Sequence, residues 1–326
     1  MKALVRAPFH DEGLRVIRQY MEVEIYQSPA PRLRLSEPEL IDRLKGMDLF
    51  ILELDNLTEK VLESADTLKM IACCRANPVN VDVKTATRRK IPIFTAPGRN
   101  AISVAEFTIG LMISLARRIV SAHIDLKSGG WGRDAESPYV KFQGFELMGR
   151  TIGLIGMGRV AQEVARRLFS FAVTVVYSDP YVGEDQVKDL GAVRMELNDL
   201  LRISDMVSIH CELTPKTERM IGKDQLRIMK PGSYLINTAR GKIIVEEDLV
   251  RAVEEGWIAG AALDVYAEEP FTPDNPLNNR PSILITPHIA GATGDVVRHH
   301  SIMIAGDIER FLTGKKPLHV WNPEVL

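Results

Sequence analysis

The chain has few cysteines and no long apolar run. Three cysteines among 326 residues, Cys73, Cys74 and Cys211, form neither an even set nor a metal-binding spacing. We therefore expect reduced thiols in a cytoplasmic protein, and neither a disulfide scaffold nor a metal centre. The apolar stretch at 107–116 is too short to cross a bilayer, so no membrane partner is expected.

Neither sign of charge dominates. Lysine and arginine number 41 against 43 acidic residues, a net charge of −2, which argues against nucleic acid or an anionic membrane as a partner. The opening MKALVRAPFH lacks the sustained apolar segment of a signal peptide. A length of 326 residues with 45% hydrophobic content indicates a globular protein of about two domains.

Short apolar runs alternate with helical patterns along the first part of the chain. The strand candidates are ALV (3–5), LFILE (49–53), KMIACC (69–74) and PIFTA (92–96). This alternation predicts a parallel sheet with helices on both faces. One long helix is then expected over 101–119, followed by a connection rich in glycine and aromatic residues over 128–149.

A second α/β series begins at Thr151. Its strand candidates are TIGLIG, VTVVYSDP (173–180), DMVSIH (205–210), SYLIN (233–237), AGAALDV (259–265) and SILITP (282–287). Six strands separated by helices or loops predict a second doubly wound sheet. A final helix over 293–313 could return to the first domain.

The stretch TIGLIGMGRVAQEVARRL at 151–168 has the order strand, glycine turn, helix. Gly156 permits a tight turn, Gly158 lets the backbone approach a pyrophosphate, and Ala161 allows close packing of helix on strand. The helix N-terminus then offers free N–H groups to phosphates. The next strand ends at Asp179, where a carboxylate can bind ribose hydroxyls and repel a 2′-phosphate, which favours NAD over NADP. A plain turn residue before a proline is the alternative for Asp179.

Ionisable residues follow several strands of this second series: His210, Arg240, Asp264, Glu269 and His288. Because ligands of open α/β sheets bind outside the carboxyl ends of the strands, the set is a candidate active site. The guanidinium of Arg240 suits a carboxylate, and His288 can carry a proton near neutral pH. A carboxylate beside His288 would orient its ring.

Some choices stay open at this stage. Spacing cannot separate Glu268 from Glu269 as the partner of the histidine. His210 either lines a cofactor groove or caps a strand end. His299 and His300 are expected on the surface of a helix.

Five motifs in order, GLIGMGRVAQEVA, YSDP, INTARG, ALDVYAEEP and TPHIAGAT, resemble those of the D-isomer-specific 2-hydroxyacid dehydrogenases. The resemblance covers nearly the whole chain and is greatest to the phosphoglycerate dehydrogenase-like branch, without an added C-terminal regulatory domain. It implies two doubly wound α/β domains. A discontinuous, flavodoxin-like substrate domain comprises 1–98 and 294–326, and a Rossmann NAD-binding domain comprises 99–293.

The resemblance also implies roles. Arg240 binds the substrate's carboxylate and carbonyl, His288 exchanges a proton with the 2-oxo group, and Glu269 pairs with His288. The implied NAD-binding positions are Gly156, Gly158, Arg159, Val160, Asp179, His210, Thr238, Ala239, Asp264, Ala290 and Gly291. Among them, Arg159 and Val160 meet the pyrophosphate, Asp264 contacts the nicotinamide carboxamide, and Ala290 and Gly291 leave room for the nicotinamide ring.

The substrate loop departs from the family pattern. CRANPVNVD at 74–82 replaces a turn that is richer in glycine in many members. Backbone N–H groups bind the substrate carboxylate there, so Ala76 and Asn77 are the candidates, and Pro78 has no N–H to donate. Arg75 adds a charge suited to an acidic or phosphorylated substrate, or has a structural role.

The expected function is NAD-dependent interconversion of a D-2-hydroxy acid and its 2-oxo acid, phosphoglycerate dehydrogenase-like or glyoxylate/hydroxypyruvate reductase-like. The alternative is an NAD-sensing binding protein of the corepressor type. The resemblance further implies a homodimer formed through the nucleotide domains, with Trp131 reaching toward the partner.

Overall fold

The computed structural model describes residues 1–26, 34–131, 133 and 136–326. These residues form two compact units. Unit 1 contains Met1–Asn100 and Thr293–Leu326, and unit 2 contains Ala101–Ala292. The sequence placed the corresponding boundaries after 98 and after 293.

Both units are built from parallel strands and connecting helices. The strands are β1 Lys2–Val5, β2 Glu22–Ile25, β3 Leu49–Leu52, β4 Met70–Cys73, β5 Ile93–Phe94, β6 Thr151–Ile155, β7 Thr174–Ser178, β8 Val193–Arg194, β9 Met206–Ile209, β10 Tyr234–Asn237, β11 Gly260–Leu263 and β12 Ile283–Ile285. The helices are α1 Asp11–Ile17, α2 Glu37–Arg43, α3 Glu59–Ser64, α4 Val83–Arg88, α5 Ala101–Ala116, α6 Ile119–Lys127, α7 Pro138–Lys141, α8 Arg159–Leu168, α9 Leu197–Ile203, α10 Lys223–Ile228, α11 Glu246–Glu254 and α12 Gly294–Leu312.

Unit 1 has a five-stranded sheet in the order β2-β1-β3-β4-β5, the order of flavodoxin-like folds. Alternate residues of β3 pack on opposite faces: Leu49 and Ile51 contribute to one core cluster and Phe50 to the other. Ile304 and Ile308 of α12 join the first cluster, so the last helix does return to the first domain. The sequence missed β2 because EVEI is a polar, exposed edge strand.

Unit 2 has a seven-stranded sheet in the order β12-β11-β10-β9-β6-β7-β8, the Rossmann order extended by one strand. The order reverses between β6 and β9, and ligands of such sheets bind beside this reversal. The predicted fold class is therefore confirmed for both units. Six strands were expected here; the seventh, β8, is a two-residue edge strand.

The single helix expected over 101–119 is instead two helices, α5 and α6, bent by 65°. Arg118 lies at the break with φ of +52°, a left-handed conformation that ends one helix and redirects the chain. The connection expected over 128–149 contains the short helix α7. Among the described residues no single helix has the length and apolarity to cross a membrane, although α5 and α6 meet that test jointly as a bent pair.

The expectation that His300 lies on the surface is wrong. His300 is 1% exposed; Nε2 lies 2.8 Å from the carbonyl oxygen of Pro8, and Nδ1 lies 2.9 Å from the guanidinium of Arg99. His299 is half-buried, with Nδ1 3.1 Å from the Arg99 carbonyl oxygen. A helical pattern alone could not show these partners, which come from distant parts of the chain.

Candidate active site

Three neighbouring strands of unit 2 bring the ionisable residues together. Because β10, β11 and β12 are adjacent and parallel, the segments that follow them start at the same edge of the sheet. Arg240 follows β10, Asp264 follows β11, and His288 follows β12. The clustering expected from the sequence is thus what the topology produces.

Glu269 is the carboxylate that contacts the histidine. Its Oε2 lies 2.7 Å from Nδ1 of His288, and its Oε1 accepts a hydrogen bond from the Tyr266 N–H at 3.2 Å. Glu268 is exposed, and no hydrogen bond joins it to His288. The geometry therefore decides between the two glutamates that the sequence left open.

Burial by itself would raise the pKa of Glu269, but hydrogen bonds from His288 and from the Tyr266 N–H, with the charges of His288 and Arg240, lower the pKa below its ordinary value. Glu269 is therefore an ionised acceptor near neutral pH. An ionised carboxylate requires a proton on Nδ1 of His288. No described residue is hydrogen-bonded to Nε2, so this second ring nitrogen is unengaged.

The backbone of His288 is held in an uncommon conformation. Its φ is +53°, in the left-handed region that a histidine seldom adopts. Its N–H donates to the carbonyl oxygen of Thr286 at 3.0 Å. Such a conformation persists only where the surroundings impose it.

Asp264 supplies much of that constraint. It is fully buried, and its Oδ1 accepts from the Thr286 hydroxyl at 2.6 Å and from the Ile289 N–H at 2.9 Å. Its Oδ2 accepts from the Ala290 N–H at 2.8 Å. Asp264 therefore fixes the turn on both sides of His288, a positioning role that was not anticipated from the sequence.

Tyr266 is a second positioning residue that sequence analysis missed. Its hydroxyl lies 2.7 Å from the carbonyl oxygen of Thr286 and 3.3 Å from that of Leu263, which connects the ends of β11 and β12. Burial raises the pKa of Tyr266 to about 12, so its hydroxyl remains a donor. The only sequence signal was its place inside the motif that contains Glu269.

The Arg240 segment packs directly on the Glu269 segment. A Cβ atom on Gly241 would lie 1.8 Å from the carbonyl carbon of Tyr266, so only glycine fits this close approach. The Asn237 side chain donates to the Arg240 carbonyl oxygen at 2.9 Å and accepts from the Ala239 N–H at 3.0 Å. The exposed Arg240 guanidinium makes a 2.6 Å hydrogen bond to the Ala239 carbonyl oxygen.

The glycine loop after β6 fits a dinucleotide. Gly156 has φ of +87°, and a Cβ there would lie 2.6 Å from the backbone nitrogen of Cys211. Gly158 is the N-cap of α8 and no side chain caps that terminus. A Cβ on Gly158 would meet nothing within 4 Å. The loop therefore leaves open space in front of a helix N-terminus that no side chain caps, as pyrophosphate binding requires.

Asp179 organises this loop as well as ending β7. Its Oδ2 accepts from the Met157 N–H at 2.7 Å, and its Oδ1 accepts from the N–H groups of Tyr181 and Val182 at 2.7 and 3.1 Å. The turn role considered from the sequence is thus present. A carboxylate has about four acceptor positions, so a ribose hydroxyl can still be bound.

Two further predicted residues follow strands: His210 comes after β9, beside the sheet reversal, and Thr238 comes after β10. Burial lowers the pKa of His210 to about 4, and its Nε2 lies 2.9 Å from the Ser208 hydroxyl; the ring is therefore neutral. Buried Thr238 shares a 3.1 Å hydrogen bond with Thr108 of α5. No group of three or more potential metal ligands occurs among residues 1–26, 34–131, 133 and 136–326.

Unit 1 carries the predicted substrate loop at the end of β4. Arg75 is half-buried, while Ala76 and Asn77 are exposed. The Arg75 N–H donates to the Cys73 carbonyl oxygen at 2.7 Å. The N–H groups of Ala76 and Asn77 donate to no other described residue.

Unit 2 combines a doubly wound sheet, a glycine loop at the reversal of strand order and a carboxylate–histidine pair at neighbouring strand ends. This combination is typical of a nucleotide-dependent oxidoreductase. The family model described as "D-isomer specific 2-hydroxyacid dehydrogenase, NAD binding domain" matches residues 109–290, more than half of the chain. The chain belongs to the D-isomer specific 2-hydroxyacid dehydrogenase family.

Relatives carry more than one activity name. A glyoxylate reductase of Korarchaeum cryptofilum is 36% identical, over 100% of this chain and 97% of its own length. A D-3-phosphoglycerate dehydrogenase of Methanocaldococcus jannaschii is 35% identical over 99% of this chain, which spans 59% of that relative. A crystal structure from Thermus thermophilus has a TM-score of 0.81 and 33% identity, covering 98% of this chain and 100% of that chain.

The chain is therefore an NAD-dependent oxidoreductase that interconverts a 2-hydroxy acid and its 2-oxo acid. The comparisons favour this enzyme over the corepressor-type binding protein. They do not choose a substrate, because relatives of nearly equal identity are named for different acids.

Proposed function

We propose that His288 is the proton carrier of this reaction, that Glu269 orients it, and that Arg240 binds the substrate's carboxylate and carbonyl. The contact that carries the proposal is the 2.7 Å distance between His288 Nδ1 and Glu269 Oε2. This contact orients the ring through Nδ1 and leaves Nε2 unengaged. Proton transfer by a positioned imidazole is a common way to accelerate such reactions.

In the direction of reduction, Nε2–H donates its proton to the oxygen that was the 2-oxo group. In the direction of oxidation, Nε2 accepts the proton of the 2-hydroxyl group. Glu269 stabilises the imidazolium form that donates, and Asp264 and Tyr266 hold the histidine in place. Bound NAD supplies the hydride acceptor or donor.

The residues that fit the cofactor divide by the part they would hold. Gly156, Gly158, Arg159 and Val160 lie where the pyrophosphate binds, and Asp179 lies where the adenosine ribose binds. The remaining positions, which line the nicotinamide side, are His210, Thr238, Ala239, Asp264, Ala290 and Gly291. The neutral ring of His210 suits a groove for an uncharged part of the cofactor.

Unit 1 is the substrate domain, corresponding to 1–98 and 294–326, and unit 2 is the NAD-binding domain, corresponding to 99–293. In unit 1 the unengaged N–H groups of Ala76 and Asn77 bind an acidic group of the substrate. Successive backbone N–H groups in a turn form a general anion site.

The direct test is oxo-acid reduction followed by loss of NADH absorbance. Glyoxylate, pyruvate, hydroxypyruvate and 3-phosphohydroxypyruvate should include at least one good substrate, and the hydroxy-acid product should be the D isomer where it is chiral.

Arg240→Ala should abolish reduction while NADH still quenches protein fluorescence. Unchanged turnover in Arg240→Ala would remove that residue from the mechanism.

The protein acts as a homodimer through unit 2. Exposed apolar side chains collect on α6 and the segment after it, including Ile124 (61% exposed), Trp131 (72%) and Tyr139 (88%). A groove of about 860 Å³ lies between α6 and residues 277–285. Exposed apolar surface of this extent favours a protein partner. Light scattering should give a dimer that Ile124→Asp dissociates; a monomeric wild type would contradict this assignment.

We place the enzyme in the cytoplasm, without a nucleic-acid or membrane partner. Its three cysteines are free, and burial raises the pKa of Cys73 and of Cys211 to about 11. Thiols of this kind suit a reducing compartment. Recovery of the native protein mainly in a membrane fraction would refute the placement.

A further inference from the structure

The loop at the end of β4 has hydrogen-bond donors that no described residue engages. Its residues Ala76 and Asn77 have N–H groups with no acceptor among the described residues. The neighbouring Arg75 guanidinium also has no hydrogen bond or ion pair with any of them. The unengaged guanidinium and the unengaged backbone N–H groups therefore belong to consecutive residues of one short loop.

The acidic residues that follow the neighbouring strand β3 are each paired with another arginine and make no hydrogen bond to Arg75. Glu53 accepts from the Arg99 guanidinium at 2.7 Å. Asp55 accepts from Arg6 at 3.0 and 3.1 Å, and both side chains of this pair are almost fully buried. Each pair is neutral by itself, so neither supplies an unpaired negative charge to Arg75.

Burial distinguishes Arg75 from ordinary surface arginines. Arg15 and Arg18 of unit 1 are exposed, whereas Arg75 is half-buried. An arginine that is partly removed from solvent and has no acceptor is stabilised when an anion completes its hydrogen bonds. The loop thus has the chemistry of a site for two acidic groups, one held by N–H donors and the other by a guanidinium.

We infer that Arg75 selects substrates whose side chain carries a second anionic group, a carboxylate or a phosphate, in addition to the acid common to all 2-oxo acids. This inference rests on the proposed function, in which Ala76 and Asn77 bind the substrate. It adds a substrate class: dianionic 2-oxo acids are preferred over their singly charged counterparts.

Matched substrate pairs test the inference on the full-length enzyme with NADH. Oxaloacetate differs from pyruvate by one carboxylate, and 3-phosphohydroxypyruvate differs from hydroxypyruvate by one phosphate. We expect wild-type kcat/KM to favour the dianionic member of at least one pair by about tenfold to a hundredfold, the range of charge-assisted hydrogen bonds. Preference within only one pair identifies the acidic group as carboxylate or phosphate.

Arg75→Met should remove that preference by raising KM for the dianionic member of the pair. Arg75→Lys should restore part of it. Arg18→Met, which makes the same change in net charge at the exposed residue that follows α1, should leave the preference intact. Retained preference in Arg75→Met, or an equal loss in Arg18→Met, would overturn the inference.

A binding measurement separates this inference from the proposed function. With NAD present, tartronate should bind more tightly than glycolate by calorimetry, since the two differ by one carboxylate, and Arg75→Met should erase the difference. Good turnover of singly charged acids without any dianion preference would refute the inference alone. Absence of turnover on all four oxo acids would refute the proposed function, and equal binding of tartronate and glycolate would then refute the inference too.

Discussion

In the proposed function, the two halves of the unit 2 sheet do different chemical work. Beside β6 and β7, binding groups are mostly backbone: a glycine loop, an uncapped helix terminus and one carboxylate, Asp179. Beside β10, β11 and β12, the groups are side chains, with Glu269 and His288 in contact at 2.7 Å. Backbone groups bind a dinucleotide without titrating, whereas proton transfer needs particular side chains. Substitutions should therefore separate cofactor binding from catalysis.

Replacing His288 should separate the two halves most strongly. His288→Asn removes the proton carrier but accepts the left-handed backbone, since asparagine tolerates positive φ. Turnover should fall by about a hundredfold to ten-thousandfold, the usual contribution of general acid–base catalysis. NADH affinity, measured by fluorescence titration, should be unchanged. A parallel loss of NADH binding would show that the two halves are not separable.

A smaller effect is expected for Glu269→Gln. The amide keeps the size of the side chain but loses the charge that stabilises the imidazolium, and the rate should fall by about tenfold to a hundredfold. The loss of rate that follows protonation of the Glu269 carboxylate at acid pH should be absent from Glu269→Gln, because the amide does not titrate. Steady-state rates over a pH series test both points.

Glu268→Gln is the matched control, since this neighbour is exposed and makes no bond to His288. Its pH profile should coincide with that of the wild type. The pKa of Glu269 lies below its ordinary value of roughly 4.3. In the wild type, Glu269 should therefore remain ionised and paired with His288 down to about that ordinary value. Identical profiles for the two variants would contradict the assignment of Glu269.

The smallest effect concerns the other half of the sheet. Asp179→Ala should lower the preference for NADH over NADPH by about tenfold, because a carboxylate that binds ribose hydroxyls and repels a 2′-phosphate is lost. Turnover at saturating NADH should change little. Asp189→Ala, at an exposed position further along, should leave the ratio of kcat/KM values unaltered. An unaltered ratio in Asp179→Ala would leave that residue only its turn role.

Much of the fold was predictable because parallel strands are continuous apolar runs. All the central strands of both sheets were found this way, and the dinucleotide loop was found from its glycine spacing between a strand and a helix. The edge strand β2 was missed because acidic residues alternate with apolar ones along it. The edge strand β8 was missed because it has only two residues. The break at Arg118 was also missed, because only backbone conformation distinguishes it from a helical arginine.

The candidate site was predictable to the level of strand ends and no further. Strand position identified Arg240 and His288, but spacing could not decide between adjacent glutamates. The supporting contacts of Asp264 and Tyr266 depend on hydrogen bonds between residues about 20 positions apart. The burial of His300 depends on Pro8, which lies at the other end of the chain.

Gly241 has a consequence for engineering the substrate range. Because the Gly241 backbone packs directly against that of Tyr266, the segments bearing Arg240 and Glu269 are in contact and should move together. A larger residue at 241 would displace both functional groups at once, so mutant libraries should leave this position fixed. Variation that is meant to change which acid is accepted belongs in unit 1, at the loop beginning with Arg75.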